Sequence, residues 1–255
     1  MTLLKLNEFI DSSTIEDEVE NLPIFHTTLF ENATNIFEHG IIPTYCNKLN
    51  DDLTYLFYGR NSLSEYGFTR IDIIKESDLK LAVSFGFDVT SLDESKIHSV
   101  FPFDSGAFIT NRYSPHLFNS EDIYNYSFRI NQIKKYLIEF FGSNENYIEG
   151  IITQELPIPS ELEAFYRLVN DRTTDNFDTR CRTIEISTKQ QLYPHEFKFL
   201  CIHLRLKRNS YVKKLLESNV DIIPIYYDTL EIGHKEGMYA FLQMKVKDYI
   251  RENLL

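Results

Sequence analysis

The stretch that most constrains the fold is residues 22–66, LPIFHTTLFENATNIFEHGIIPT and then LTYLFYGRNSLSEY. A short apolar strand ends here in His26-Thr27-Thr28. The pattern predicts a compact helix over 31–39. Gly40 can stop it, because glycine accepts the left-handed conformation that a helix C-terminus needs. Ile41-Ile42-Pro43 then leads the chain away. A second apolar strand over 53–58 ends in Gly59-Arg60. Each strand therefore ends in a small polar and aromatic cluster, and such ends are common places for a site on a rigid frame.

The rest of the chain supplies more strands and helices. Residues 1–20 turn acidic and read as a solvated lead-in or short helix. KLAVSFGFDV, at 80–89, reads as a buried strand. Residues 90–118 show no clear period, and FPFDSGAF at 101–108 reads as an aromatic turn within a long loop. A broad apolar face predicts a helix over 121–141, ended by Gly142-Ser143. A further helix is expected from Ser160, with Glu163 three residues on as a capping box. Strands are expected over 182–187 and 197–206, and a helix over 209–218. The strand over 220–227 contains Pro224, which lacks an N–H and so belongs at a sheet edge. A terminal helix is expected over 236–252. Strands and helices do not alternate strictly, so the class is α+β with antiparallel or mixed sheets. Nothing marks a boundary, which predicts one domain over 1–255 with a helical insertion at 120–170.

Composition narrows the function. A hydrophobic content of 43% supports a sizeable core. A net charge of −12 argues against overall attraction to nucleic acid but leaves room for a local basic groove. Arg205, Lys207, Arg208, Lys213 and Lys214 form the one dense basic run, which is either a solvated helix face or a phosphate contact. No apolar run has the length of a membrane span, and the N-terminus lacks a signal-peptide pattern. Cys46, Cys181 and Cys201 are unpatterned, which points to a reducing cytoplasm and to neither a disulfide framework nor a zinc site. His195, His203 and His234 lack metal-ligand spacing, so no metal is expected.

His26 at the end of an apolar strand is either a core histidine bonded to backbone or a site residue that holds a ribose hydroxyl or an amide. One resemblance bears on that choice. His26-Thr27-Thr28, Asn35-Ile36 and Gly40-Ile41-Ile42 resemble the opening of the ADP-ribosyltransferase superfamily. Its members begin with a strand ending in His and a small residue, then a helix with an Asn-hydrophobic pair, then Gly and a hydrophobic residue. YLFYGRNSLSEY, at 55–66, resembles the second element, a strand followed by a Ser and Tyr region. The arginine soon after that strand is closest to the DNA-modifying, toxin-like branch. The resemblance covers about residues 22–66 and rests on short motifs.

The resemblance implies a split pair of mixed or antiparallel sheets with flanking helices. It implies NAD as substrate, with His26 on a ribose hydroxyl, the Thr27 backbone on the nicotinamide carboxamide, and Thr28 and Ser62 beside them. Tyr58 or Tyr66 would stack on the nicotinamide ring, and Arg60 would pair with the pyrophosphate. The family also needs a late glutamate. Glu185 fits, because strand alternation puts Thr183, Glu185 and Ser187 on one polar face; Glu149 and Glu155 are rivals. The implied activity is cleavage of the nicotinamide–ribose bond, with transfer of ADP-ribose to a protein or nucleic-acid acceptor. A bacterial toxin or anti-phage effector, with an antitoxin or regulatory partner, would fit that branch. The competing reading is a non-catalytic ligand-binding or interaction module on the same fold.

Overall fold

A computed structural model describes residues 5–14, 19–47, 49–60, 77–152, 158–171, 179–228 and 238–255. In chain order the described elements are α1 (Leu6–Ser12), β1 (Ile24–Leu29), α2 (Phe30–His39), β2 (Thr44–Cys46), β3 (Asp51–Tyr58), β4 (Ala82–Phe87), β5 (Ile97–Phe101) and α3 (Ser105–Ile109). They continue with α4 (Ile133–Phe141), α5 (Asn144–Glu149), α6 (Glu163–Asn170), β6 (Glu185–Thr188), β7 (Phe199–His203), α7 (Ser210–Ser218), β8 (Ile223–Tyr227) and α8 (Met238–Asn253). The class is α+β, as the sequence predicts. The chain divides into two compact units, one of Leu22–Lys96 with Thr188–Leu254, the other of Met1–Asn21 with Ile97–Ser187.

The first of these units is a sheet in the order β3-β1-β4-β7-β8, with β2 added on β3. All its pairs are antiparallel except β7 with β8, which run parallel. β8 takes the end position in that order, where Pro224 costs no ladder bond. Helices cover both faces. On one, Phe30, Ala33 and Phe37 of α2 are buried at helical spacing, and the Phe37 ring meets Phe85 of β4 at 5.6 Å. On the other, Tyr249 of α8 meets Phe199 of β7 at 4.9 Å. Gly86 lies between Phe25 and Phe199, and a Cβ there would come within 2.8 Å of the Phe199 ring. Gly40 ends α2 at φ 78°, with its N–H on the Ile36 carbonyl. The Leu192 carbonyl presses so close that a Cβ on Gly40 would sit 2.1 Å from it.

The second unit packs α1 on α4 through Phe9 and Phe140, whose rings are 6.3 Å apart. Its centre is aromatic. Phe103 touches the rings of Phe101, Phe108, Tyr113, Tyr126 and Phe165. Arg129 ties α1 down, donating to both Asp11 carboxylate oxygens at 2.9 and 2.7 Å.

Several boundaries differ from those read in the sequence. The loop expected over 90–118 contains β5 and α3, whose N-terminus is capped by the Asp104 side chain accepting from the Ala107 N–H at 3.0 Å. The helix expected over 121–141 is α-helical only from Ile133. Before it come two 3₁₀ turns, Ile123–Tyr126 and Ile130–Gln132. Between them Phe128 donates its N–H to the Val100 carbonyl at 3.1 Å, so a strand contact overrides the apolar periodicity. The expected capping box at Ser160 does not form: the Ser160 hydroxyl donates to Glu161, Glu163 pairs with Arg167, and α6 starts at Glu163 after one 3₁₀ turn. α5 was not expected. Gly142, at φ 76°, stops α4, and the Ser143 hydroxyl immediately caps a new helix.

Candidate ligand cleft

β1 and β3 pair at Ile24↔Tyr58 and Phe25↔Phe57, and their registered pairing ends there. β1 goes on pairing with β4 through Leu29↔Ala82. The strands β1 and β3 thus part beyond Phe25, and α2 lies over the side of the gap that carries Ile24, His26 and Thr28. The result is a cleft of about 490 Å³. It is lined by His26 and Thr28 of β1, by Glu31, Asn32, Asn35 and Ile36 of α2, and by Thr44, Leu53, Thr54 and Tyr55 of β2 and β3. Gly40, Ile41 and Ile42 also line it. A cleft of this size is in the range of small-molecule sites.

His26 bridges the parted strands. Its Nδ1 lies 3.1 Å from the Tyr55 carbonyl oxygen. A carbonyl can only accept, so Nδ1 carries the proton and Nε2 keeps its lone pair. Burial lowers the imidazole pKa from 6.5, and the Tyr55 bond opposes this less strongly. The ring is therefore neutral at neutral pH, an acceptor at Nε2. Thr28 accepts a hydrogen bond from Asn32 Nδ2 at 3.3 Å, which links β1 to α2. Glu31 is engaged by Lys80, whose Nζ donates to both carboxylate oxygens at 2.8 Å.

Thr27 divides its groups. Its hydroxyl bonds Ser84 at 2.9 Å, on the opposite face of the sheet from His26. Hydrogen-bonded pairs alternate along an antiparallel ladder. The Phe30 N–H to Leu81 carbonyl bond fixes that phase for β1 and β4, and the Gly59 N–H to Pro23 carbonyl bond fixes it for β1 and β3. Together they turn the main-chain N–H and C=O of Thr27 toward β3, at the level where pairing has stopped.

Of the remaining residues expected at the site, none of the described ones lines the cleft. Tyr58 is a core residue, 1% exposed, whose oxygen accepts from the Leu22 N–H at 2.8 Å; burial pushes its pKa up to about 12. Arg60 is also 1% exposed and does not line the cleft. Ser62 and Tyr66 lie outside the described residues. Glu185 belongs to the other unit, where its Oε2 accepts from the Ser105 N–H at 3.2 Å. The polar face expected there, Thr183, Glu185 and Ser187, is not solvent-facing: every residue from Thr183 through Thr188 is buried, so both faces of β6 are covered. Glu149, at the end of α5, is half-buried, and Glu155 is outside the described residues. In the basic run Arg205 pairs with Asp78 at 2.6 Å and Lys207 sits over the Tyr226 ring at 5.1 Å.

Sequence reasoning named His26, Thr28, Asn35, Ile36, Gly40, Ile41 and Ile42 but missed Glu31, Asn32, Thr44 and Thr54. Two of these were findable. Asn32 lies four residues after Thr28 and one turn before Asn35 and Ile36, so it shares a helix face with them. Thr54 shares a strand face with Leu56 and Tyr58. No family model matches the chain, and no curated protein matches it.

Proposed function

We propose that the chain is an NAD-dependent ADP-ribosyltransferase whose nicotinamide–ribose half of NAD enters the cleft between β1 and β3. The observation that carries this reading is the fixed His26 tautomer. Held by the Tyr55 carbonyl, the ring offers Nε2 as an acceptor for a ribose hydroxyl. The Thr27 main chain, turned toward the same gap, offers one donor and one acceptor, the pair that a carboxamide needs.

In the reaction the bond from ribose C1′ to the nicotinamide nitrogen breaks, and nicotinamide leaves with the electron pair. A nucleophile on the acceptor then bonds C1′ and gives up its proton. Positive charge develops on the ribose, so a nearby carboxylate stabilises the transition state. The resemblance implies Glu185 for that part, with a protein or a nucleic acid as the acceptor. Incubation with NAD labelled in the adenylate, followed by separation of protein from nucleic acid, tests both activity and acceptor. Label is expected in one macromolecular fraction from the parent. Glu185→Gln should reduce it by about a hundredfold or more. Equal labelling by that variant removes Glu185 from the mechanism.

One observation favours a second reading, a binding module without catalysis. Tyr58, Arg60 and Glu185 are each no more than 2% exposed, so none is open to solvent. Under that reading NAD binds but nicotinamide is never released, which the same incubation detects by assaying free nicotinamide.

A further inference from the structure

Thr54 lies on β3 and lines the cleft, yet its residue is 3% exposed and its Oγ1 has no hydrogen-bond partner among the described residues. Strand alternation places it with Leu56 and Tyr58, and the β1–β3 register puts that set on the face of Ile24, His26 and Thr28. A buried hydroxyl without a partner is unfavourable to the empty protein, and valine would fill the same space without that cost. The position therefore suits something other than stability.

The chemistry of the lining says what that is. Among the described residues the cleft wall carries one carboxylate, Glu31, already bonded by Lys80, and no lysine or arginine. The described lining thus carries no cationic side chain to pair with a phosphate or a carboxylate. The His26 Nε2 accepts only, whereas a threonine hydroxyl both donates and accepts. A neutral group with two adjacent hydroxyls satisfies both: one gives its proton to Nε2, and the other exchanges a hydrogen bond with Thr54.

We propose that Thr54 Oγ1 is the second anchor, beside His26, for the vicinal diol of a ribosyl ligand in this cleft. This rests on the NAD reading and adds the residue that recognises the second hydroxyl. Thr54 is a binding residue and takes no part in bond breaking.

The test uses the full chain, with Thr54→Val and Thr54→Ser, titrated calorimetrically with NAD, ADP-ribose, adenosine and 2′-deoxyadenosine. Thr54→Val should melt at or above the parent's temperature, which shows that it is folded. It should bind each ribosyl probe that the parent binds about tenfold more weakly, the loss expected for one hydrogen bond. Its preference for adenosine over 2′-deoxyadenosine should shrink, and Thr54→Ser should restore both. Parental affinity and preference in Thr54→Val would overturn the assignment. Should the parent bind adenosine but not NAD, the transferase reading fails and the adenosine series alone judges Thr54. A parent that binds none of the four probes overturns both.

Discussion

His26 donates from Nδ1 to the carbonyl of Tyr55 at 3.1 Å, across a gap where the two strands carrying these residues have ceased to pair. The side chain thus takes over a carbonyl at the point where the backbone ladder ends. Buried carbonyls are rarely left without a partner, so this bond both tolerates the gap and orients the ring. Tautomer and ring direction then follow from one contact.

Gly40 lines the cleft and is pressed against a neighbouring carbonyl. Its φ of 78° suits glycine, and a Cβ would meet the Leu192 carbonyl at 2.1 Å. Backbone strain of this kind costs about 1–3 kcal/mol, before the clash is counted. Gly40→Ala should therefore lower stability by about 2 kcal/mol or more, read from urea denaturation. A loss within about 0.5 kcal/mol, the range of a neutral surface change, would contradict the close approach.

Tyr58 separates packing from ligand contact. Tyr58→Phe keeps the ring but leaves the buried Leu22 N–H without its acceptor. The expected loss is about 1–3 kcal/mol of stability, with NAD affinity unchanged. A variant of parental stability that binds NAD more weakly would return Tyr58 to the site.

Acid should weaken the fold before the carboxylates titrate. Burial is the main cause that lowers the pKa of His26, and likewise of His203, whose Nδ1 accepts from the Arg205 N–H at 3.1 Å. Above the ordinary value of 6.5 both states are neutral at these rings and nothing changes. Below it the unfolded chain takes up protons first, so stability falls with pH until the folded-state values are reached. The melting temperature should drop between about pH 7 and about pH 5, and drop less in the double variant His26→Gln, His203→Gln. Equal slopes for parent and double variant would show that other groups carry the acid dependence.

Parts of this were legible in the sequence because single residues force them. Gly40 stops α2 where its conformational freedom predicted, and Pro224 sits on the end strand because it has no N–H to give. The apolar runs of β1, β3 and β4 need little context. What could not be read are properties of pairs. The parting of β1 from β3 is a matter of register, written in no one segment. Arg60 follows a strand end, where the resemblance implies a contact with the pyrophosphate, but Gly59, at φ 61°, bends the chain back with its N–H on the Pro23 carbonyl, and Arg60 is buried. Likewise Ser160 and Glu163 have the spacing of a capping box, yet Arg167 and Glu161 take their side chains instead.

The central claim is that His26, held by Tyr55, binds the ribose of NAD in this cleft. Calorimetric titration of NAD into the full-length parent and into His26→Ala tests it most directly. The expected result is saturable one-to-one binding by the parent, weakened about tenfold or more in the variant, as one lost hydrogen bond within a buried cleft requires. No binding by the parent, or the same affinity in both proteins, would contradict it.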